Sequence, residues 1–206
     1  MGGAPSALQA RTDEASMNLQ LSEEQELLRE TFAQLFASES SPERVRAAEP
    51  LGFDEGLWKH LAETGAIGIR VPEAAGGAEA SLLDAALLAE EAGRHVVSGP
   101  LFESIVACRT LAALGDATAG DYLRRALEGS AIVSLALNPA ASESAQLVSG
   151  GSVADAVLGL DGEELVLVES GEKSERLPNQ GASALSHWNL SDSGATGGRH
   201  VLACGV

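Results

Sequence analysis

Gly68-Ile69-Arg70-Val71-Pro72-Glu73-Ala74-Ala75-Gly76-Gly77-Ala78-Glu79-Ala80-Ser81-Leu82-Leu83-Asp84 reads as a short apolar segment, a Pro-Glu turn, a Gly-Gly bend and a capped helix. The helix runs on to Glu90-Glu91-Ala92-Gly93-Arg94. Ser81 is its N-cap, Leu83, Ala86 and Leu87 share one face, and Gly93 stands near its end. Upstream, Ser22 with Gln25 three residues later forms a capping-box signature, followed by Leu27, Leu28, Thr31, Phe32, Leu35 and Phe36 at helical spacing. Pro42 at a first turn predicts a short helix over 42–48. Asp54 opens a third helix that carries Leu57, Trp58 and Leu61 and closes at Gly65. Downstream, two more helices are expected, over 102–114 before Gly115 and over 119–127 before Gly129.

At Ser130 helical spacing gives way to short β-prone runs separated by Gly, Ser, Asn and Asp. These runs cover 131–137, 156–160, 164–168 and 200–204, with Asp161-Gly162 as a tight turn between the second and third. The expected fold class is α+β: an N-terminal all-α helical bundle followed by a small antiparallel β-barrel-like domain. Residues 1–16 are small, polar and aperiodic and read as a disordered leader, with Met17 as a natural start. The helical domain then spans 17–129 and the β-domain 130–206.

The 206 residues carry 45% hydrophobic side chains, enough for a sizeable core, and a net charge of −17, which repels nucleic acid. The only cysteines, Cys108 and Cys204, are far apart in sequence and fit a reducing cytoplasm better than a disulfide framework. No run approaches the ~20 apolar residues of a membrane span. The start of the chain lacks the basic-then-apolar pattern of a signal peptide.

The Pro72–Gly77 unit and the Glu90-Glu91-Ala92-Gly93-Arg94 segment resemble the acyl-CoA dehydrogenase family, whose pattern is hydrophobic-Pro-Glu-x-x-Gly-Gly, Ser-Leu, then Glu-Glu-hydrophobic-Gly-Arg. Met17-Asn18-Leu19-Gln20-Leu21-Ser22-Glu23-Glu24-Gln25 also looks like that family's opening. The resemblance runs from about Leu19 to Val206, over the helical and middle β domains, and is fainter in the second. It implies FAD as cofactor, an acyl-CoA thioester as substrate and its α,β-oxidation to an enoyl-CoA. It also implies an electron-transfer acceptor.

The family's flavin contacts map by this resemblance onto two segments. One ends its first strand with a Thr-Glu-Pro motif; here Ser134-Leu135-Ala136-Leu137-Asn138-Pro139-Ala140-Ala141-Ser142-Glu143-Ser144 keeps only the proline, and Leu137 replaces the threonine. The other reads aromatic-hydrophobic-Thr/Ser-Asn before an Ala-Asp pair; here Leu147-Val148-Ser149-Gly150 leads to Ala154-Asp155, with Leu147 in place of the aromatic. The implied cofactor-binding residues are Leu137, Asn138, Leu147 and Ser149, with the Ser149 hydroxyl as a donor to the ring. Ser142 and Glu143 are the implied substrate-binding residues. The family's later Asp-x-Thr/Ser-Arg turn finds no counterpart around Asn179-Gln180-Gly181-Ala182.

No catalytic residue is assigned within the chain. The family's glutamate base lies on a C-terminal four-helix domain, expected from a partner subunit, a second polypeptide of a divided enzyme, or a region outside this chain. The isolated chain is therefore expected to be oligomeric or aggregation-prone. A non-catalytic subunit that stabilises a complete dehydrogenase and binds no flavin is the alternative. Glu90 and Glu91 read as one solvent-facing and one supporting acid, paired with Arg94. Gly76-Gly77 reads as a structural turn, since no Lys-Ser/Thr follows. His60, His95, His187 and His200 lack metal-ligand spacing, and no metal is assigned. Cys108 reads as a buried small hydrophobe. Trp188 is either a strand residue packed between sheets or a flavin-stacking ring.

Overall fold

The computed structural model describes residues 20–140, 145–191 and 198–202. Six helices come first: α1 (Glu23–Glu39), α2 (Pro42–Ala48), α3 (Glu55–Glu63), α4 (Leu82–Arg94), α5 (Leu101–Leu114) and α6 (Ala117–Leu127). Six strands follow: β1 (Val133–Leu135), β2 (Gln146–Val148), β3 (Ala156–Asp161), β4 (Glu164–Glu169), β5 (Ser186–Trp188) and β6 (Gly198–Leu202). Among the described residues, no helix is long and apolar enough to cross a membrane.

The helices start where local chemistry satisfies their free N–H groups. Ser22 and Gln25 form the capping box of α1, and Ser81 and Asp84 form that of α4. Gln25 Nε2 also donates to Asp84 Oδ1 at 3.2 Å, so the two boxes are joined where α1 packs on α4. Asp116 accepts from the N–H groups of Thr118 and Ala119, which starts α6 two residues before the hydrophobic pattern does. Between α3 and α4, Glu73–Ala75 makes one 3₁₀ turn that ends at Gly76 with φ 87°. A Cβ on Gly77 would lie 2.2 Å from the Val71 carbonyl oxygen, so only glycine lets the bend close against Val71.

The main sheet has the order β1-β3-β4-β6, and β2 pairs with β5 in a second, two-stranded sheet. The β3–β4, β4–β6 and β2–β5 pairings are antiparallel, but β1 runs parallel to β3, with Val133 opposite Ala156. The main sheet is therefore mixed rather than wholly antiparallel, and open rather than closed: β1 and β6 are its edges, so "barrel-like" describes it only loosely. A parallel pair needs a long connection between its strands, and β2 lies within that connection.

Regular pairing in the first expected strand is limited to 133–135. The chain beyond it still leans on β3 through Ala136 N–H to Leu158 O at 2.8 Å and Ala140 N–H to Leu160 O at 2.6 Å. Pro139, between them, has no N–H to donate. The β3–β4 hairpin pairs Asp161 with Glu164, which leaves Gly162 and Glu163 as the loop, one residue later than Asp161-Gly162; Gly162 takes φ 61°. The last strand begins two residues earlier than 200–204, and residues 203–206 lie outside the described residues.

One hydrophobic cluster runs from Phe32 and Phe36 through Leu88, Ile105 and Leu111 to Val157, Leu167 and Trp188. Residues Ala156 to Gly159 of β3 are all buried, as expected for a strand covered on both faces. α5 packs beside β1, and Leu190 approaches the backbone of Gly159.

Candidate functional site

The two segments singled out for a cofactor converge on β1. Ser134, buried in the middle of that strand, donates its hydroxyl to the carbonyl of Ser149. On the other side, Ser104 of α5 donates to the Val133 carbonyl at 2.9 Å. Asp155 Oδ2 accepts from the Ile132 N–H at 2.7 Å, and its Oδ1 faces Lys173 Nζ at 2.5 Å. Three side chains from distant parts of the chain thus fix a three-residue strand and attach the 149–150 turn to it.

Leu137 and Asn138 leave the end of β1 exposed, Leu137 at 83%. Leu147, the middle residue of β2, is 51% exposed, while its neighbour Val148 is buried. Ser149 is half-buried and lines a cleft of about 340 Å³ with Val97, Gly99, Glu103, Gln180 and Ala184. Ser142 and Glu143 lie outside the described residues. The arrangement presents two apolar side chains and a hydroxyl on segments held by one sheet edge.

Trp188 is a packing residue. It is 6% exposed, and its Nε1 donates to Gly151 O at 3.1 Å and to Ser186 Oγ at 3.0 Å, bracing the Gly150-Gly151 turn from behind. A Cβ on Gly151 would stand 2.7 Å from that nitrogen. Glu90 is exposed and pairs with Arg94, while Glu91 is buried with Arg94 Nε 3.6 Å away, so both acids serve the helix end. Burial pushes the Cys108 thiol up to about 12, which leaves it protonated and unreactive. His60 faces Glu39 at 3.1 Å and His200 faces Glu169 at 3.0 Å, in separate parts of the molecule.

Sequence alone assigns no role to Ser104, to Ser134 or to the two contacts of Asp155. A signal exists: Ser104 interrupts the apolar run of α5, and Ser134 sits between Val133 and Leu135. A hydroxyl among such neighbours needs a buried acceptor, but spacing alone does not say which.

Comparison with known proteins adds the family context. The model of the acyl-CoA dehydrogenase N-terminal domain matches residues 22–130. The chain is 40% identical over 148 residues to acyl-CoA dehydrogenase IpdE2 of Mycolicibacterium smegmatis, covering 70% of this chain and 45% of the relative. It is 30% identical over 120 residues to benzylmalonyl-CoA dehydrogenase of Aromatoleum aromaticum, covering 56% of this chain and 32% of the relative. Among solved structures, a variant of the Tcur3481-Tcur3483 steroid ACAD superimposes with a TM-score of 0.71 at 28% identity, over 88% of this chain and 57% of that one. The ChsE4-ChsE5 complex from Mycobacterium tuberculosis gives a TM-score of 0.70 at 22% identity, over 91% of this chain and 58% of that one, which speaks to the fold alone. The chain spans about half the length of these relatives or less.

Proposed function

The chain belongs to the acyl-CoA dehydrogenase family, and from that premise we propose that it takes part in FAD-dependent α,β-oxidation of an acyl-CoA to an enoyl-CoA. In this reading it contributes a helical domain, 17–129, and a β-domain, 130–206, to a larger cytoplasmic assembly. The carboxylate base comes from a C-terminal helical domain on a partner chain or outside the sequence, and an electron-transfer protein accepts the electrons. The likeness to two structures whose names pair two proteins supports a partner subunit.

The observation that carries the proposal is the Ser134–Ser149 hydrogen bond, which joins the two segments where the family's flavin contacts map. Their residues fit one edge of a flavin: Leu137 and Leu147 offer exposed apolar surface, Asn138 an amide, and Ser149 a hydroxyl beside backbone groups. FAD, when bound, accepts hydride from the β-carbon of the thioester. This chain's part is to orient. Ser104, Ser134 and Asp155 hold the strand and turn, and Leu137 and Leu147 exclude water from the face they cover.

Native mass spectrometry with visible absorbance, on protein purified with its partners retained, tests the reading. A heteromer carrying FAD is expected. Colourless protein with a full partner present overturns it and favours the second reading, a non-catalytic subunit that stabilises a complete dehydrogenase. The replacement of a hydroxyl by Leu137 and of an aromatic by Leu147 supports that alternative.

A further inference from the structure

A larger cleft opens at the other end of β1, between α2–α3 and the start of the strand region. It encloses about 890 Å³, with Leu51, Phe53, Trp58, Ile132 and Val153 among its walls. That volume is within the range of ligand sites, ~300–1,000 Å³. At its rim each cation is held by a carboxylate: Arg44 by Asp54 at 3.0 Å, Lys59 by Glu55 at 2.8 Å, and Lys173 by Asp155 at 2.5 Å. These pairs leave no unbalanced charge to draw in an ion.

Two residues of the same cleft carry buried polar atoms with no hydrogen-bond partner: Trp58 Nε1 and Ser152 Oγ. Trp58 is 3% exposed and Ser152 is 8% exposed. The Trp58 ring is held in place, with Phe53 against it at 5.7 Å between centroids and Gly99 against its six-membered edge. The contrast with Trp188, whose Nε1 has two acceptors, is direct. An unmade buried hydrogen bond costs ~1–3 kcal/mol, and native structures keep few of them. Here two fall in one apolar cleft.

We propose that this cleft binds a small uncharged carbonyl compound. Its oxygen accepts from the Trp58 indole N–H and from the Ser152 hydroxyl, and its apolar body lies against Leu51 and Phe53. A carboxylate is disfavoured, because burying it beside one neutral indole donor and a hydroxyl leaves its charge unpaired. A hydrocarbon is disfavoured, because it leaves both polar atoms unsatisfied. The site is separate from the 137–149 segments and does not depend on flavin binding.

The test uses the full chain, labelled with [¹⁵N]tryptophan, in the assembly in which it is isolated. Its two indole signals are assigned with Trp58→Phe, and acetophenone is the probe, with ethylbenzene as the counterpart lacking oxygen. Acetophenone is expected to move the Trp58 indole signal downfield with saturation and to leave the Trp188 signal in place. Ethylbenzene should bind about tenfold more weakly, and Ser152→Ala should weaken acetophenone binding several-fold. An unmoved Trp188 signal checks that Ser152→Ala folds normally, since the lost hydroxyl has no partner in the fold. The proposal is overturned if the Trp58 signal fails to move or to saturate up to the solubility of acetophenone. It is also overturned if ethylbenzene binds as well, or if Ser152→Ala binds unchanged.

Discussion

In the helical region, a side chain of Ser22, Ser41, Asp54, Ser81 or Asp116 caps the start of every helix but α5, each within three residues of the groups it satisfies. In the strand region, β1 is held by Ser104 from 29 residues before Val133 and by Asp155 from 23 residues after Ile132. The first kind of contact forms as soon as its own turn forms. The second forms only when the chain has brought remote segments together. Each helix start is therefore stabilised separately, whereas the sheet edge carrying the candidate cofactor segments depends on the whole fold.

The largest expected effect tests the one place where the helical region relies on close backbone approach. Gly77→Ala puts a methyl 2.2 Å from Val71 O and 2.4 Å from Val71 Cβ. It should cost about 3 kcal/mol, read as a lower midpoint in urea unfolding. Next, Ser104→Ala removes the bond between α5 and β1 and leaves the Val133 carbonyl buried without that donor. A loss of about 2 kcal/mol is expected. Amide exchange should rise in Ala136, which bonds across to Leu158, more than in α1 or α4. Equal acceleration throughout would show that the strand edge is no more dependent on remote contacts than the helices are.

Ser81→Ala deletes half of a capping box and should cost about 1 kcal/mol, with exchange faster in the first turn of α4. The smallest effect is at Asp54, where burial favours the neutral acid. The Arg44 guanidinium and the Leu57 N–H outweigh burial and hold the carboxyl below its ordinary value of 3.8. A depressed native value stabilises the fold above the ordinary value and is lost as pH falls through the lower one. Asp54→Asn keeps a capping oxygen but loses the charge. Its deficit, under about 1 kcal/mol at neutral pH, should shrink as urea unfolding is repeated from pH 5 to pH 3; a deficit that stays constant would mean the ion pair contributes nothing there.

All six helices are legible in the amino-acid sequence, and so are the Gly76-Gly77 bend and the structural roles of Glu90, Glu91 and Cys108. Short-range chemistry accounts for each: a cap and its target, a glycine and its turn, a periodic face. The two-residue error at the start of α6 has the same origin, because Asp116 caps the helix ahead of its first buried residue. Two strands, β2 and β5, are not legible as strands, each being three residues long and paired only with the other. Three residues carry no measurable alternation.

For the candidate site, resemblance locates Leu137, Asn138, Leu147 and Ser149, but nothing in the local pattern ties the first pair to the second. The Ser134–Ser149 bond does, across 15 residues. The same holds for Trp58, whose helical spacing marks it for the core, while only packing reveals that its indole N–H is buried unpaired in a cleft.

Caps, turns and apolar periodicity are properties of a few neighbouring residues, so the helices, their ends and the change of texture at Ser130 are written in the chain itself. The parallel placing of β1, the open mixed sheet, the joining of the two cofactor segments and the large cleft arise only in three dimensions. Each depends on which distant donor meets which acceptor, and that is settled by burial of the whole core rather than by any one segment.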